Sequence, residues 1–359
     1  MLLLSVLCCL TAAGADPEEM TLREKVCQMF IIRPESLLCP ENPLSLDVTE
    51  FCDSMADFFA KYPAGGFCLF PKNIVSPDQL AGFTASLHNL HPRPLLCIDE
   101  EGGRVARIAN TGSFHLHRFK SMEALAAGGE SHKVYNAARY IGTYVSKYGF
   151  DVDFAPVADV NTNPENVVIG ARAFSDNPRT AAVMVVNYLM GLRDAGVIGC
   201  LKHFPGHGDT KDDTHTGYAA TSKTWEEMSA CEMSTFRAGI AAGAGMVMAA
   251  HIAAPEVTGS KTPSSLSATI LQEKLRGELG FEGIIITDAL EMGSIVKEYS
   301  SGEAAVEAVK AGADIILMPV DYVRAVEAVI TAVKTGVIDE SRIDASVRRI
   351  LSLKRDIKP

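Results

Sequence analysis

Short and almost uninterrupted hydrophobic runs recur along the chain, each followed by a polar or glycine-rich turn and then a longer stretch of helical pattern. Continuous apolar runs are typical of strands buried on both faces, as in parallel sheets. Runs of strand length lie at residues 29–32, 65–70, 95–99, 152–157, 198–203, 246–251, 283–288 and 314–319. The clearest helical stretches lie at 179–195, 225–242 and 302–311, with a closing amphipathic helix at 341–354.

Eight strand–helix repeats in 359 residues predict an α/β fold, a (β/α)8 TIM-type barrel. A doubly wound open sheet is the alternative, but no GxGxxG sequence follows the first strand, so nothing supports a dinucleotide-binding fold. No Pro-, Gly- or Ser-rich linker divides the chain. We therefore expect a single barrel domain over residues 20–359.

Ionisable residues follow directly on four of the apolar runs. The catalytic groups of a (β/α)8 barrel lie at the C-terminal ends of its strands, so these side chains are expected to share one face. A solvated loop charge would explain any one of them, but explains the repeated position less well. The residues concerned are Asp99, Glu100, Glu101 and Arg104 at the third run, Lys202 and His203 at the fifth, His251 at the sixth and Asp288 at the seventh.

The stretch from Lys202 to His215 is the richest in histidine and aspartate. One interpretation is a metal-dependent hydrolase with His203, His207 and His215 as ligands. The other is an acid/base dyad of Asp213 and His215, because a carboxylate beside an imidazole favours the protonated ring and orients it. The metal interpretation lacks an established ligand spacing such as HExxH, so the dyad is favoured.

Asp288 ends a strongly apolar run and is the natural candidate for a nucleophile on the opposite side of a scissile glycosidic bond. A short side chain on a rigid strand end is well positioned for that task. The alternative is a helix N-cap for a segment starting near Leu290, since aspartate is common at such positions.

The chain is acidic, with a formal net charge of -11 and no clustered run of Lys or Arg, which excludes a nucleic-acid partner. Beyond residues 1–15, no apolar stretch has the length of a membrane span. The composition favours a protein that acts on small or neutral molecules. The sequence does not determine an oligomeric state.

Residues 1–15 have the apolar character of a signal peptide and end in the small residues Ala13, Gly14 and Ala15, but lack a basic start. The alternative is an N-terminal extension of a cytoplasmic protein, with initiation nearer Met20. The nine cysteines argue against oxidative secretion, since seven, an odd number, remain after such a cleavage. With a signal peptide, the protein would be in the cell envelope or outside the cell. With an N-terminal extension, it would be in the cytoplasm.

Several segments, in order along most of the chain, resemble glycoside hydrolase family 3, in particular its bacterial β-N-acetylglucosaminidases. They read IDEEGGRVARI at 98–108, FAPVADV at 154–160, IGARAFSDNP at 169–178, KHFPGHGDTKDDTH at 202–215, MVMAAHI at 246–252, TPSSLS at 262–267 and FEGIIITDALEM at 281–292. Family β-glucosidases are similar in the KHF and TD parts but lack the PGHG loop with its Asp-x-His.

The resemblance implies a retaining β-N-acetylhexosaminidase that acts on cell-wall muropeptide fragments or chitooligosaccharides without cofactor or metal. Asp288 would be the nucleophile that forms a covalent glycosyl-enzyme, His215 the acid/base and Asp213 its partner. The positions that would hold the sugar's hydroxyls and acetamido group are Asp99, Arg107, Arg172, Lys202 and His203. His251 is given a supporting role.

The chain also departs from the family's pattern. Thr214 stands where the motif often has Ser, and Glu100 stands where many relatives have Gln, which is expected to add a carboxylate near the substrate. Arg104 is expected to pair with nearby carboxylates. Within the family, the alternative functions are a β-glucosidase and a phosphorylase that uses phosphate instead of water. Outside it, the alternatives are the metal-dependent hydrolase and a sugar-binding barrel without turnover.

Overall fold

The computed structural model describes residues 17–210 and 219–357. Its centre is a parallel eight-stranded sheet in which neighbours follow chain order and the last strand pairs with the first. The strands are β1 Phe30–Ile32, β2 Gly66–Cys68, β3 Leu95–Ile98, β4 Val152–Asp153, β5 Ile198–Phe204, β6 Met246–Ala249, β7 Ile284–Thr287 and β8 Ile316–Leu317.

The seam between β7 and β8 is joined by a parallel bridge between Ile286 and Ile315. The Thr287 amide also donates to the Ile315 carbonyl at 3.0 Å. These contacts close the sheet on itself, so the predicted (β/α)8 barrel is confirmed.

Each predicted run contains a strand, although most strands are shorter than the apolar run. In the run at 152–157, regular pairing stops after Asp153. Pro156 has no amide hydrogen to donate, so the ladder is interrupted there and resumes only as a single bridge between Val157 and Lys202. An additional short hairpin, Glu100–Gly102 with Val105–Ala106, follows β3 and was not predicted.

Helices connect the strands and cover the outside of the barrel. The α-helices are α1 Leu22–Gln28, α2 Asp53–Phe59, α3 Pro77–His88, α4 Met122–Ala126, α5 Ser131–Lys147, α6 Pro178–Asp194, α7 Trp225–Ala230, α8 Met233–Ala241, α9 Pro255–Thr258, α10 Gly293–Val296, α11 Ser301–Ala311, α12 Tyr322–Lys334 and α13 Glu340–Asp356. Thr269–Glu278 is a π-helix. Short 3-10 turns lie at Pro17–Glu19, Pro34–Leu37, Pro43–Ser45, Pro71–Asn73, Gly112–Phe114, Gly170–Arg172 and Ser264–Leu266.

The helix predicted at 225–242 is two helices, α7 and α8, because the chain turns at Cys231. The turn buries Glu232, which is 1% exposed and forms an ion pair with Lys223. A continuous amphipathic pattern therefore did not reveal the break. The other predicted helices are confirmed to within one or two residues at each end.

The core follows from strands that are apolar on both faces, since each barrel strand packs inward and against the helices. Cys68, Cys97 and Cys200 lie inside it as buried free thiols, as predicted. Burial raises the pKa of each of the three thiols, which therefore behave as small hydrophobic groups. Across residues 17–210 and 219–357, no helix combines the length and apolarity needed to cross a bilayer.

At the N-terminal end of β8, a buried aspartate connects the barrel to two helices. Asp314 lies just before β8 and is 0% exposed. It forms ion pairs with Arg276 of the π-helix and, at 3.1 Å, with Arg349 of α13, and it accepts from Ser346 at 2.6 Å. This group joins the closing helix to the barrel at the end away from the strands' C-termini.

The predicted leader at 1–15 and the predicted dyad of Asp213 and His215 lie outside the described residues.

Candidate active site

A cavity of about 310 Å³ lies at the C-terminal ends of the barrel strands. Its walls come from the ends of several strands and from the loops that follow them. The described residues among the predicted site all line it: Asp99, Arg107, Arg172, Lys202, His203 and Asp288. The strand-end argument indicated Asp99, Lys202, His203 and Asp288, and the resemblance indicated Arg107 and Arg172; the structure places all six at one cavity.

Lys202 is the central cation of this cavity, and its side chain is only 2% exposed. Its Nζ atom is 2.8 Å from Asp99 Oδ1 and 2.6 Å from Glu101 Oε1. Arg107 donates to the other oxygen of Asp99 at 3.1 Å. Burial alone would raise the pKa of Asp99, but the charges of Lys202 and Arg107 outweigh it and hold the pKa well below its usual value.

Glu101 lines the cavity, and the sequence interpretation noted it at a strand end without giving it a role. Its carboxylate accepts two hydrogen bonds from Arg172, at 2.9 Å from Nε and 2.7 Å from a terminal nitrogen. Burial opposes ionisation, but the charges of Arg172 and Lys202 lower the pKa of Glu101 to about 2. Bidentate pairing fixes the plane of the guanidinium as well as its position.

Glu100 and Glu101 point in opposite directions because they are neighbours in the short hairpin strand. Glu100 is 0% exposed and accepts from the Ile108 and Ala109 amides at 2.8 and 2.9 Å and from the Tyr144 hydroxyl at 2.7 Å. Burial raises its pKa. The expectation that Glu100 adds a carboxylate near the substrate is therefore wrong, since the added carboxylate lies behind the wall.

Arg104 also differs from expectation. Its guanidinium donates to the backbone carbonyls of Val167 at 2.8 Å and of Val168, not to a carboxylate. It joins the hairpin to the loop that carries Arg172, so its role is structural, but the predicted partner was wrong.

Asp159 is a residue that the sequence interpretation missed, and it organises two histidines. Its Oδ2 atom is 2.7 Å from His203 Nδ1, and its carboxylate accepts the backbone amides of His203 at 3.2 Å and His207 at 2.7 Å. Burial would raise the pKa of Asp159, but the charge of His203 and its hydrogen bond lower it. The His203 Nε2 atom therefore faces Arg172, whose terminal nitrogen is 3.5 Å away.

Asp288 lies at the C-terminal end of β7. Its amide donates to the Ala249 carbonyl at 2.8 Å, and its Oδ1 atom accepts the Ala289 amide at 2.8 Å. Burial would raise the pKa of the carboxyl, but the charges of His251 and His203 and the Ala289 amide lower it below its ordinary value. The group is thus held as a carboxylate.

The helix-cap alternative for Asp288 is wrong. The next helix, α10, begins at Gly293, and Met292 occupies its cap position without a side-chain hydrogen bond. Asp99 and Glu101 are neutralised by cations, whereas over residues 17–210 and 219–357 Asp288 has no ion pair within 4.0 Å.

His251 supports the loop of Asp288 from behind. It is 0% exposed, with Nε2 at 2.9 Å from the Ala289 carbonyl and Nδ1 at 2.7 Å from Ser265 Oγ. It is not among the residues that line the cavity, and it fixes the residue after Asp288, in line with the supporting role expected.

Arg33 and Glu291 form a further wall that the sequence interpretation missed. The Arg33 Nε atom is 3.1 and 3.0 Å from the two carboxylate oxygens of Glu291, and the guanidinium carbon lies 3.7 Å from the centre of the Phe70 ring. Arg33 directly follows β1, so the strand-end argument would have found it had it been applied to all eight runs. The pair ties β1 to the segment just after Asp288.

The metal hypothesis rests on His203, His207 and His215, and His215 lies outside the described residues. In the part of the chain that the structure describes, no group of three His, Cys, Asp or Glu side chains is arranged to hold a metal ion. The Nδ1 atoms of His203 and His207 are occupied by Asp159 and by Thr210.

The arrangement suits a neutral, polar ligand. Arg107, Arg172 and Lys202 can donate hydrogen bonds into the cavity, and Asp288 can act on an electrophilic carbon beside them. The three positive charges face three carboxylates, of which Asp99 and Glu101 form ion pairs with the cations and Asp288 lines the same cavity, so the cavity carries no excess of cations to select an anion.

Comparisons with known proteins agree with this picture. The family model of the glycosyl hydrolase family 3 N terminal domain matches residues 21–353. A β-hexosaminidase A from Pseudoalteromonas piscicida is 31% identical over 341 residues, which cover 88% of this chain and 57% of the relative. A β-hexosaminidase from Stenotrophomonas maltophilia strain K279a is 35% identical over 277 residues, covering 75% of this chain and 80% of the relative.

Among solved structures, a glycoside hydrolase family 3 β-N-acetylglucosaminidase from Paenibacillus sp. strain FPU-7 aligns with a TM-score of 0.86 and 36% sequence identity. The alignment covers 94% of this chain and 62% of that one. The chain thus spans 57% and 62% of the length of these two longer relatives.

Proposed function

The chain belongs to glycosyl hydrolase family 3, and on that premise we propose that it is a retaining β-N-acetylhexosaminidase. Its substrates would be small saccharides with a terminal β-linked N-acetylglucosamine, such as muropeptide fragments or chitooligosaccharides. Support comes from relatives that carry the name β-hexosaminidase and from the KHFPGHG segment with Asp213 and His215 downstream.

The observation that carries the proposal is the state of Asp288. It is a carboxylate on a rigid strand end, its pKa is lowered, and it lines the cavity without a neutralising ion pair within the described ranges. Coulombic pairing with Lys or Arg would make a carboxylate a weaker nucleophile, because its charge would already be satisfied.

In the first step, an Asp288 carboxylate oxygen attacks the anomeric carbon and forms a glycosyl ester, while the bond to the leaving oxygen breaks. His215 donates its proton to that oxygen, with Asp213 orienting the ring; both roles rest on the family resemblance. In the second step, His215 accepts a proton from water, which attacks the anomeric carbon and releases Asp288.

The remaining cavity residues would hold the sugar. Lys202, Arg107 and Arg172 donate to hydroxyl and acetamido oxygens, and their own positions are fixed by Asp99 and Glu101. Groups fixed before the substrate arrives do not have to reorganise during the reaction, which lowers the barrier.

Trapping the intermediate tests this assignment. A 5-fluoro analogue of N-acetylglucosamine with a good leaving group should form a stable ester, found by mass spectrometry on the peptide that contains Asp288. Asp288→Asn should give no adduct and should reduce kcat by about 10⁴-fold, as for loss of a catalytic nucleophile. An adduct on another residue, or turnover by the variant near the wild-type rate, would exclude the mechanism.

A further inference from the structure

His207 is a cavity residue to which the mechanism above gives no task. It is 3% exposed and lines the cavity. Its Nε2 atom is buried and has no hydrogen-bond partner within residues 17–210 and 219–357. Buried polar atoms are normally paired, so such an atom in a cavity wall points to a group that a ligand supplies.

The residue is held rigidly on its other sides. Its amide donates to Asp159 at 2.7 Å, and its carbonyl accepts from the Asn166 side chain at 2.7 Å. Its Nδ1 atom is 2.6 Å from Thr210 Oγ1. Asp159 and Asn166 fix the backbone of His207 and Thr210 fixes its ring at Nδ1, so turning Nε2 away from the cavity would break the hydrogen bond to Thr210.

The hydrogen bonds of Thr210 decide which nitrogen carries the proton. The Thr210 hydroxyl is also 3.0 Å from the His207 carbonyl oxygen, which can only accept. A hydroxyl has one proton to donate. Both contacts are satisfied together only if the hydroxyl donates to the carbonyl and accepts from a protonated Nδ1. The ring then presents the lone pair of Nε2 to the cavity.

The surroundings of the ring also favour its neutral form. Burial lowers the pKa of His207, and the nearby charge of His203 lowers it further. A cationic ring would carry a proton on both nitrogens and could only donate. The lowered pKa therefore agrees with the acceptor role that the hydrogen bonds indicate.

We propose that His207 Nε2 accepts a hydrogen bond from an O–H or an amide N–H group of the bound sugar. The inference rests on the proposed function for the nature of the ligand. Lys202, Arg107 and Arg172 supply donors, while the acceptors Asp99 and Glu101 are carboxylates that already accept from those cations. His207 thus adds an uncharged acceptor to a cavity whose other strong groups are charged.

Two substitutions separate Nε2 from the rest of the ring. In His207→Asn, the amide nitrogen replaces Nδ1 and keeps a donor for Thr210, but nothing replaces Nε2. In His207→Gln, the amide oxygen reaches the position of Nε2 and can accept. We expect kcat/KM to fall about tenfold in the first, as for loss of one hydrogen bond, and to return to within about threefold in the second. His132→Asn, on the exposed start of α5, is the control and should leave kcat/KM unchanged.

Modified substrates identify the donor. The penalty of His207→Asn should be measured with p-nitrophenyl N-acetylglucosaminide, its 3-, 4- and 6-deoxy analogues, and the glucoside, which has a hydroxyl in place of the acetamido group. For the substrate that lacks the donor, the penalty should shrink to less than about twofold. A tenfold penalty that is equal for all of these substrates would overturn the proposal.

Nitrogen-15 NMR of the wild-type protein tests the inference without turnover and without a variant that must fold. In the free protein, the His207 Nε2 signal should be that of an unprotonated nitrogen. Saturating N-acetylglucosamine should shift it toward the value of a hydrogen-bonded acceptor. A protonated Nε2, or no change on saturation, would overturn the inference. Absence of glycosidase activity would instead overturn the proposed function, whereas the NMR signal of His207 Nε2 is measured independently of turnover.

Discussion

Two carboxyl groups, Glu100 and Asp153, are buried just behind the cavity wall. Asp153 Oδ1 accepts the Glu100 amide at 2.8 Å, while its Oδ2 atom is buried and has no partner among residues 17–210 and 219–357. Burial raises the pKa of Asp153 well above its usual value, and the charge of Glu100 raises it further. The protonated form of Asp153 is therefore favoured in the folded protein.

The raised pKa gives a prediction for stability against pH. A group whose folded pKa exceeds its unfolded value stabilises the fold at low pH, and this contribution is lost as the pH rises through the folded pKa. The wild-type free energy of unfolding should thus fall between pH 4 and pH 8. Asp153→Asn should reduce that fall and be about 1–3 kcal/mol more stable than wild type at pH 8, because no charge must be buried.

The measurement is urea denaturation of both proteins at several pH values. Asp57→Asn, on the exposed face of α2, is the control and should leave the pH dependence as in the wild type. Parallel pH dependence in Asp153→Asn and the wild type would contradict a raised pKa for Asp153.

At the scale of single elements, we expect the end of the barrel away from the cavity to contribute to the stability of the fold and not to activity. Asp314 holds the π-helix and α13 through Arg276 and Arg349. Asp314→Ala leaves these cations without their buried partner, and breaking a buried pair typically costs about 3–5 kcal/mol. Thermal or urea unfolding should show this loss, while kcat/KM at 25 °C stays within about twofold because the cavity is at the other end.

Asp339→Ala is the matched control, since Asp339 precedes the same helix, is exposed and makes no side-chain cap. It should change the free energy of unfolding by less than about 0.5 kcal/mol. Equal losses in the two variants would mean that the Asp314 cluster contributes no specific stability.

Element by element, the hydrophobic pattern predicted the barrel because parallel strands buried on both faces leave a strong signal. It did not predict the hairpin Glu100–Gly102 with Val105–Ala106, which is short and polar. It also missed the turn at Cys231, after which the buried Glu232 forms an ion pair with Lys223. Both misses are tertiary effects that local periodicity does not contain.

The lining of the cavity was predicted where strand ends determine position, as for Asp99, Lys202 and Asp288. The sequence does not show which of two neighbouring side chains points into the cavity. Glu101 does so, whereas Glu100 points behind the wall. Asp159 was missed for another reason: it lies beyond the end of its strand and acts through hydrogen bonds to the backbone of His203, which a sequence does not show.

For the whole molecule, the barrel explains how residues nearly two hundred positions apart share one cavity, since every strand ends at the same face. The proposed mechanism uses only side chains as nucleophile and acid/base. Activity should therefore be unchanged after dialysis against excess EDTA and assay in its presence. Loss of activity with the chelator, restored by a divalent metal, would favour the metal-dependent alternative instead.

The most direct test of the central claim compares two substrates. Purified protein should be assayed with p-nitrophenyl β-N-acetylglucosaminide and the matching β-glucoside at pH 5 to 8, with free sugar and sugar phosphate measured as products. We predict that kcat/KM is at least about tenfold higher for the N-acetylglucosaminide, a difference expected of polar contacts to the acetamido group, with free sugar as the product. A preference for the glucoside, or no turnover of either compound, would contradict the account.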